Sequence, residues 1–142
     1  MNSTLDLPSL VQAAGDAIIA ADPDGKIRLW NPAAERMFGC TAAEALGHAL
    51  DLISPERWRP RHWEGYRRVM RTGQTRYGAE VLRVPALHKD GRALSIAFTV
   101  ALLYAGDGGI QAIAAIVRDE TARWEEERAL RRRLTKLEAR SR

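Results

Sequence analysis

The chain has 142 residues, of which 46% are hydrophobic and 28% charged, and its formal net charge is +4 at pH 7. That length fits one domain with a single core and excludes a large multidomain enzyme. We expect no signal peptide and no membrane-spanning segment, and a lone cysteine, Cys40, excludes an internal disulfide and a multi-cysteine metal site. These features predict a cytoplasmic protein.

The N-terminal region predicts a short amphipathic helix followed by a β-hairpin. Apolar runs at 15–21 and 26–30 are separated by Asp22-Pro23-Asp24-Gly25, whose glycine supplies the positive φ of a tight turn. The helix before them carries an apolar stripe at helical spacing, formed by Leu7, Leu10, Val11 and Ala14.

A helical block follows the hairpin. Asn31-Pro32 is an N-cap followed by proline at the first helical position, and residues 41–44 form a capping box. A third helical stretch starts at Ser54 and runs to about Thr72. Pro60 interrupts its first turn, so we expect the long helix to begin there.

Three strands and a last helix complete the pattern. Asp-Gly turns separate runs at 77–87, 92–104 and 110–118, and the middle run alternates apolar and smaller residues as a half-buried strand does. The helix after residue 120 places leucines at steps of four and three, as in a heptad seam. Two strands, three helices and three strands joined by hairpins predict an α+β domain with an antiparallel sheet and helices on one face.

Several motifs in this order resemble the PAS domain family. They lie at 16–27, 30–39, 43–47, 89–91 and 117–121, and the last is the Asp-x-Thr turn with which the family closes its final strand. The resemblance implies the PAS fold, a five-stranded antiparallel sheet with strand order 2-1-5-4-3 cupping a pocket under the long helix. We therefore divide the chain into an N-terminal cap helix (1–14), a PAS domain (15–119) and a C-terminal signalling or coiled-coil helix (120–142).

The resemblance implies sensing and signalling and no enzymatic activity. PAS domains bind a small ligand or cofactor, or nothing, and pair with their own copies. They relay a change through flanking helices to an effector such as a kinase or a transcription regulator. Here the turn Asp119-Glu120-Thr121 would set the direction of the last helix. The predicted homodimer and coiled-coil contacts are Leu7, Leu10, Val11, Leu130, Leu134 and Leu137.

A metabolite pocket needs apolar walls and a few polar groups. Trp63, Tyr66 and Met70 share one face of the long helix, and the first two carry polar tips that suit an amphipathic ligand. Each of these residues also fits ordinary core packing. The candidate pocket residues are Met37, Phe38, Leu52, Ile53, His62, Trp63, Tyr66, Met70, Val81, Ile96, Phe98, Ile113 and Ala115.

The cofactor is left open by the sequence, and both haem and non-covalent flavin fit a PAS domain. The proximal histidines of two oxygen-sensing PAS families align with Arg68 and Arg76, which cannot bind iron, so His62 would be a metal ligand only if haem is present. No flavin-attachment motif surrounds Cys40, which argues against a covalent photoreceptor. A haem-binding gas or redox sensor and a ligand-free interaction adaptor remain the alternatives.

Charge and motifs indicate whether the chain binds a nucleic acid or catalyses a reaction. Residues 56–76 carry seven arginines against two glutamates, but arginines scattered around a helix are more typical of a solvated face than of a nucleic-acid interface. No nucleophile triad, phosphate loop or kinase motif is present. We therefore expect a homodimer and an effector as partners, with neither a membrane nor a nucleic acid.

Overall fold

The computed structural model describes residues 4–74 and 80–141 of the chain. Two single 3₁₀ turns, Leu50–Ile53 and Glu56–Trp58, lead into the longest internal helix. The strands are β1 Ala17–Ala21, β2 Ile27–Trp30, β3 Leu82–Leu87, β4 Ala93–Tyr104 and β5 Ile110–Asp119. The helices are α1 Leu7–Ala13, α2 Pro32–Phe38, α3 Ala42–Ala45, α4 Arg59–Thr72 and α5 Thr121–Arg140.

All five strands form one sheet in the order β2-β1-β5-β4-β3, and every neighbouring pair is antiparallel. The predicted fold class and strand order are confirmed. β3 forms one edge of the sheet, and Pro85 lies within it opposite Ser95 of β4. Proline has no N–H to donate, and an edge strand is the place in a sheet that tolerates it.

One face of the sheet carries the core. Ile19 of β1 pairs with Trp30 of β2 on one side and with Ala115 of β5 on the other, so the three side chains share a face. Phe38 of α2 is fully buried, and its ring centroid lies 5.4 Å from that of Trp30. The buried cluster consists of Ala17, Ile19, Ile27, Trp30, Ala34, Phe38, Cys40, Ala45, Ala86, Leu94, Ile96 and Val117.

Asn31 joins three elements through its buried side chain. Its Oδ1 accepts hydrogen bonds from the N–H groups of Ile18 in β1 and Ala34 in α2, at 2.9 and 3.0 Å. Its Nδ2 donates to the carbonyl oxygens of Val11, at 2.9 Å, and Asp16, at 3.2 Å. The side chain is 0% exposed, so the predicted helix cap also fixes α1 and the start of β1.

The structure differs from the predicted elements at three places. β3 begins at Leu82, not at residue 77, and residues 77–79 lie outside the described ranges. Val81 is 49% exposed and precedes the first β3–β4 pair, Leu82 with Phe98. α4 begins at Arg59, one residue before the predicted start, and Pro60 lies in its first turn. The 3₁₀ turn Leu50–Ile53 was not predicted, because one turn is too short to show a period.

His88 is more enclosed than expected. It lies in the turn between β3 and β4, where side chains are usually exposed, but most of its side chain is covered, since its exposed fraction is 15%. The ring packs on Gly39, where a Cβ atom would lie 2.5 Å from His88 Cε1. Gly39 ends α2 with φ +78°, so a left-handed helix end makes the space for the ring.

Helix α5 leaves the body of the domain. It extends over 20 residues, of which none is buried, and it contacts β4 of the sheet. The side chains of Leu130, Leu134 and Leu137 are 60%, 57% and 60% exposed. Three large apolar side chains at helical spacing are thus open to solvent.

A candidate sensor site beside the first hairpin

Three aromatic rings form a cluster on α4. The ring centroids of His62 and Trp63 lie 4.9 Å apart, and that of Tyr66 lies 5.8 Å from His62 and 5.4 Å from Trp63. Trp63 and Tyr66, two of the three residues predicted to share one helix face, are therefore in contact, and His62 joins them. The contacts of Trp63 with His62 and Tyr66 are edge-to-face, and such contacts orient the rings relative to one another.

The cluster is fixed to the first hairpin and to the 3₁₀ turn before α4. Trp63 Nε1 donates to Asp51 Oδ1 at 2.7 Å. The Tyr66 hydroxyl donates to the main-chain carbonyl of Asp22. Trp63 also covers Gly25, whose φ is +81°, and a Cβ there would lie 2.2 Å from Trp63 Cη2. Only glycine fits both the backbone angle and the space.

The turn between β1 and β2 is organised by Asp22. Its Oδ1 accepts from the N–H groups of Asp24 and Lys26, both at 3.0 Å, and its Oδ2 contacts Arg28 Nε at 2.8 Å. These donors outweigh burial and lower the pKa of the Asp22 carboxyl. The carboxylate therefore holds the turn on which Tyr66 rests.

Burial changes the acid–base properties of the aromatic cluster. Desolvation lowers the pKa of His62, although the negative charge of Asp51 opposes it. His62 Nδ1 is buried and has no hydrogen-bond partner among the described residues. Burial also raises the pKa of Tyr66, and Asp22 and Asp24 add to this. Both side chains are therefore neutral near pH 7.

An open cleft of about 400 Å³ lies between α4 and the first hairpin. Trp63 and Tyr66 supply its aromatic wall, and Lys26 and Arg67 bring positive charge to it. The cleft combines apolar walls with charged groups, as small-molecule sites do. Its lining residues are Pro23, Asp24, Lys26, Ala49, Trp63, Tyr66 and Arg67.

The other candidate pocket residues differ in how deeply they are buried. Phe38 and Ile96 belong to the buried cluster, and Met37, Leu52, Ile53, Phe98 and Ala115 pack against it. Met70 and Ile113 are half-buried, whereas Val81 is exposed at the surface. The structure thus separates a filled core from the aromatic cluster beside the hairpin.

The turn at the end of β5 is bonded to the start of β4. Glu120 N–H donates to the carbonyl of Ser95 at 2.8 Å, and Ser95 N–H donates to Thr121 Oγ1 at 2.9 Å. The N–H and the hydroxyl of Thr121 both donate to Asp119 Oδ1, at 2.9 and 2.5 Å. An ion pair at 3.4 Å joins Glu120 to Arg83 of β3. α5 therefore starts from a turn attached to two strands.

Sequence reasoning missed the polar partners of the aromatic cluster. Asp51 precedes Trp63 by 12 positions, and Asp22 precedes Tyr66 by 44. Hydrogen bonds over such separations leave no local pattern. The φ of +81° at Gly25 was predictable from the Asp-Gly turn, but the ring above that glycine was not.

The described parts of the chain contain neither a metal-binding cluster nor a membrane-spanning helix. No group of three or more His, Cys, Asp or Glu side chains there could hold a metal ion. Among the helices described, none has the length and apolar character needed to cross a bilayer.

Known proteins that resemble the chain agree with this architecture. A family model described as PAS fold matches residues 11–125. The chain belongs to the PAS family. An uncharacterised protein of Azorhizobium caulinodans is 34% identical over 125 residues, which cover 87% of this chain and 17% of that protein. The PAS domain structure of a Colwellia psychrerythraea protein aligns with a TM-score of 0.71 at 21% identity, covering 82% of this chain and 95% of that one.

A named sensor is also similar. The oxygen sensor protein DosP of Escherichia coli is 29% identical over 126 residues, which cover 87% of this chain and 15% of that protein. The chain thus spans less than a fifth of the length of either of these two relatives. Family membership together with this likeness supports a sensory signalling role for the PAS domain.

The residues at the expected haem positions do not fit an iron ligand. Arg68 is exposed and lies 3.5 Å from Glu64 in an ion pair, and Arg76 lies outside the described residues. The buried Nδ1 of His62 has no hydrogen-bond partner in the part of the chain that the structure describes, but its ring packs against both Trp63 and Tyr66. Cys40 is buried, and burial raises the pKa of its thiol, which disfavours the reactive thiolate.

Proposed function

We propose that this PAS domain senses a small ligand or cofactor, pairs as a homodimer and relays the change through α5 to an effector. The observation that carries the proposal is the attachment of α5 to the sheet. Asp119, Glu120 and Thr121 bind the first residues of β4 by three contacts, while nothing in α5 is buried. A shift of the sheet therefore moves the base of an exposed helix.

The aromatic cluster is connected to that turn through hydrogen-bonded strands. Tyr66 binds the carbonyl of Asp22, which directly follows β1. β1 pairs with β5 from Ala17–Val117 to Ala21–Ile113, and β5 ends at Asp119. A ligand that moves the α4 rings would thus act on β1, then on β5, and then on the turn before α5. The contacts between these elements support this route, and measuring the coupling energy between the aromatic cluster and the turn before α5 tests it.

The ligand is proposed to bind at the aromatic cluster and the adjoining half-buried surface. Native mass spectrometry and an absorption spectrum of the purified chain test this. A bound mass lost on Trp63→Ala supports the site, and flavin or haem absorption bands identify a chromophore. If the chain purified from cells shows only its own mass and no flavin or haem absorption bands, the ligand-free adaptor is favoured.

The relay predicts an effect of Thr121→Val. The change removes the acceptor for Ser95 N–H and the donor to Asp119, at a cost of about 1 kcal/mol. Amide hydrogen exchange should accelerate at Ser95 and in the first turn of α5. The matched control is Thr135→Val, whose hydroxyl bonds only to Arg131 within the same helix. Equal exchange in the two variants would count against the relay.

The homodimer is proposed from exposed apolar surfaces. Leu7 and Leu10 of α1 are exposed, as are Leu130 and Leu134 of α5. Leu130→Asp with Leu134→Asp places four carboxylates at the paired seam, so the dimer dissociation constant should rise at least about tenfold. Sedimentation equilibrium measures the change, and Arg128→Asp with Arg132→Asp is a control off the seam. An unchanged mass average in the double leucine variant would reject the α5 contact.

A further inference from the structure

Arginines that look scattered in the sequence lie in one row on the outer face of α4. Arg61, Arg68 and Arg71 follow one another at steps of seven and three residues, close to two turns and one turn of an α-helix. Arg57 lies four residues before Arg61, in the 3₁₀ turn that leads into α4. All four side chains are exposed. This arginine row extends over about 20 Å along the helix axis.

The inner face of the same helix is packed on the domain. Tyr66 is buried and Trp63 is half-buried. Arg59, which shares that inner face, donates from Nε to the carbonyl of Ser54 at 3.0 Å and from Nη2 to that of Asp51 at 3.3 Å. The charge of Arg59 is therefore used inside the domain. The arginine row lies on the opposite side of α4 and is held there by this packing.

The arginine row carries charge that the described part of the chain does not neutralise. Arg57, Arg61 and Arg71 form no ion pair with any described side chain. Arg68 lies 3.5 Å from Glu64, and both side chains are largely exposed. An exposed pair of this kind contributes little to stability, so a stronger anion can replace the carboxylate.

The chemistry of the row suits phosphate. Its basic side chains are all arginine, whose planar fork donates two parallel hydrogen bonds to phosphate oxygens. Arg61 is also oriented in advance, because its Cζ lies 5.6 Å from the centroid of the Trp58 ring.

The same face offers no apolar anchor. From Glu56 to Gln74 no large apolar side chain is exposed. Protein interfaces depend on buried aromatic and aliphatic anchors, and amphipathic helices bind membranes by inserting an apolar face. The apolar side of α4 is already packed on the domain. A nucleic acid needs no such anchor, because neutralising its phosphates supplies the affinity.

We propose that the arginine row on α4 binds the phosphate backbone of a nucleic acid, without reading its bases. Charges in a single line match phosphates that follow one another along a strand. The expectation of no nucleic-acid partner assumed arginines scattered around the helix, and the single row removes that assumption. Arg67 lines the cleft on the other side and is not part of the row. Binding here is therefore separate from the proposed ligand site and from the proposed homodimer.

The salt dependence of binding to a short mixed-sequence DNA duplex tests the proposal with the full chain. Four phosphate contacts predict that the association constant falls about 150-fold between about 50 and 200 mM salt. Fluorescence anisotropy of a labelled duplex measures this. Replacing the four arginines of the row by glutamine should abolish most of the binding and flatten the salt dependence. Glutamine has nearly the helix propensity of arginine, so α4 should keep its circular dichroism signal.

A matched control removes the same charge from another exposed helix. Four arginines of α5 are exposed and follow three consecutive glutamates, residues 125–127. Their replacement should leave most of the affinity and most of the salt dependence. Equal losses in the two fourfold variants would show that binding follows total charge, and would reject the row. The control substitutions are Arg128→Gln, Arg131→Gln, Arg132→Gln and Arg133→Gln.

Glu64 gives a test in the opposite direction. It lies within the row, between Arg61 and Arg68, where its carboxylate repels phosphate. Glu64→Gln should therefore tighten duplex binding about threefold at low salt. An unchanged affinity would place the bound duplex elsewhere on the chain and contradict the proposal.

Vesicles that contain phosphatidylglycerol separate the two sources of phosphate. Duplex binding that is lost in the α4 variant and kept in the α5 variant supports the nucleic-acid face. Vesicle binding that is lost in the α4 variant, without any duplex binding, assigns the row to a membrane surface and rejects the proposal. Binding to neither probe at low salt also rejects it.

Discussion

The region from Ala17 to Ala45 and the helix α5 use apolar residues in opposite ways. In the first, buried alanines, isoleucines and aromatic rings fill the core, and the one buried polar side chain, Asn31, has four hydrogen bonds. In α5 no residue is buried, although leucines recur at helical spacing. The first region holds the domain together, whereas the second leaves its leucines open to solvent. Substitutions should therefore change stability in one and association in the other.

The largest effect on stability is expected at Asn31. Asn31→Ala leaves the N–H groups of Ile18 and Ala34 and two carbonyls without partners in a buried space, and should lower the free energy of unfolding by at least about 3 kcal/mol. Urea unfolding measures this. Thr41→Ala removes a cap at the surface and should cost about 1 kcal/mol. Equal losses would contradict the role of Asn31 as the joint between elements.

A second comparison uses two glycines with similar backbone angles. Gly25 has φ +81° beneath Trp63, whereas Gly47 has φ +84° and open space for at least 4 Å around the point where a Cβ atom would lie. Gly47→Ala should cost about 1 kcal/mol for its backbone alone, and Gly25→Ala about 2 kcal/mol or more, because the ring must move. The indole N–H resonance of Trp63 should shift in the Gly25 variant. Identical losses would show that the ring does not constrain the turn.

The smallest effect expected is a pH dependence from His62. Burial lowers its pKa in the folded state, so below the unfolded value of about 6.5 the unfolded chain binds more protons and folding weakens. Between pH 7.5 and 5.5 the loss should total at most about 1.4 kcal/mol, because the unfolded chain takes up its extra proton at about pH 6.5. His62→Gln should reduce that loss, because the variant has no imidazole to protonate. Thermal unfolding at each pH gives the comparison.

Local patterns were sufficient for the order of the elements. The proline after Asn31, the capping box at Thr41 and the Asp-Gly turns placed helix starts and hairpins, and the two-then-three grouping of strands led to the observed sheet. Each of these signals lies within a few residues of the feature it predicts. The PAS resemblance supplied the strand order, which spacing alone does not contain.

Contacts between side chains that are far apart in the sequence could not be predicted from it. Nothing near Trp63 indicates that its indole N–H binds Asp51, and nothing near Asn31 indicates that its amide reaches Val11. The same limit applies to the depth of each candidate pocket residue. Val81 looked like part of a strand, but it precedes the first residue that finds a partner in β4. Tertiary packing decides these cases, and one sequence does not display it.

The proline in β3 bears on how copies of this domain meet. β3 is an open edge of the sheet, and an unpaired edge invites another chain to add its own strand. Pro85 offers no N–H there, so it interrupts the ladder that such an addition would require. Open-ended, edge-to-edge association of copies through β3 is therefore disfavoured.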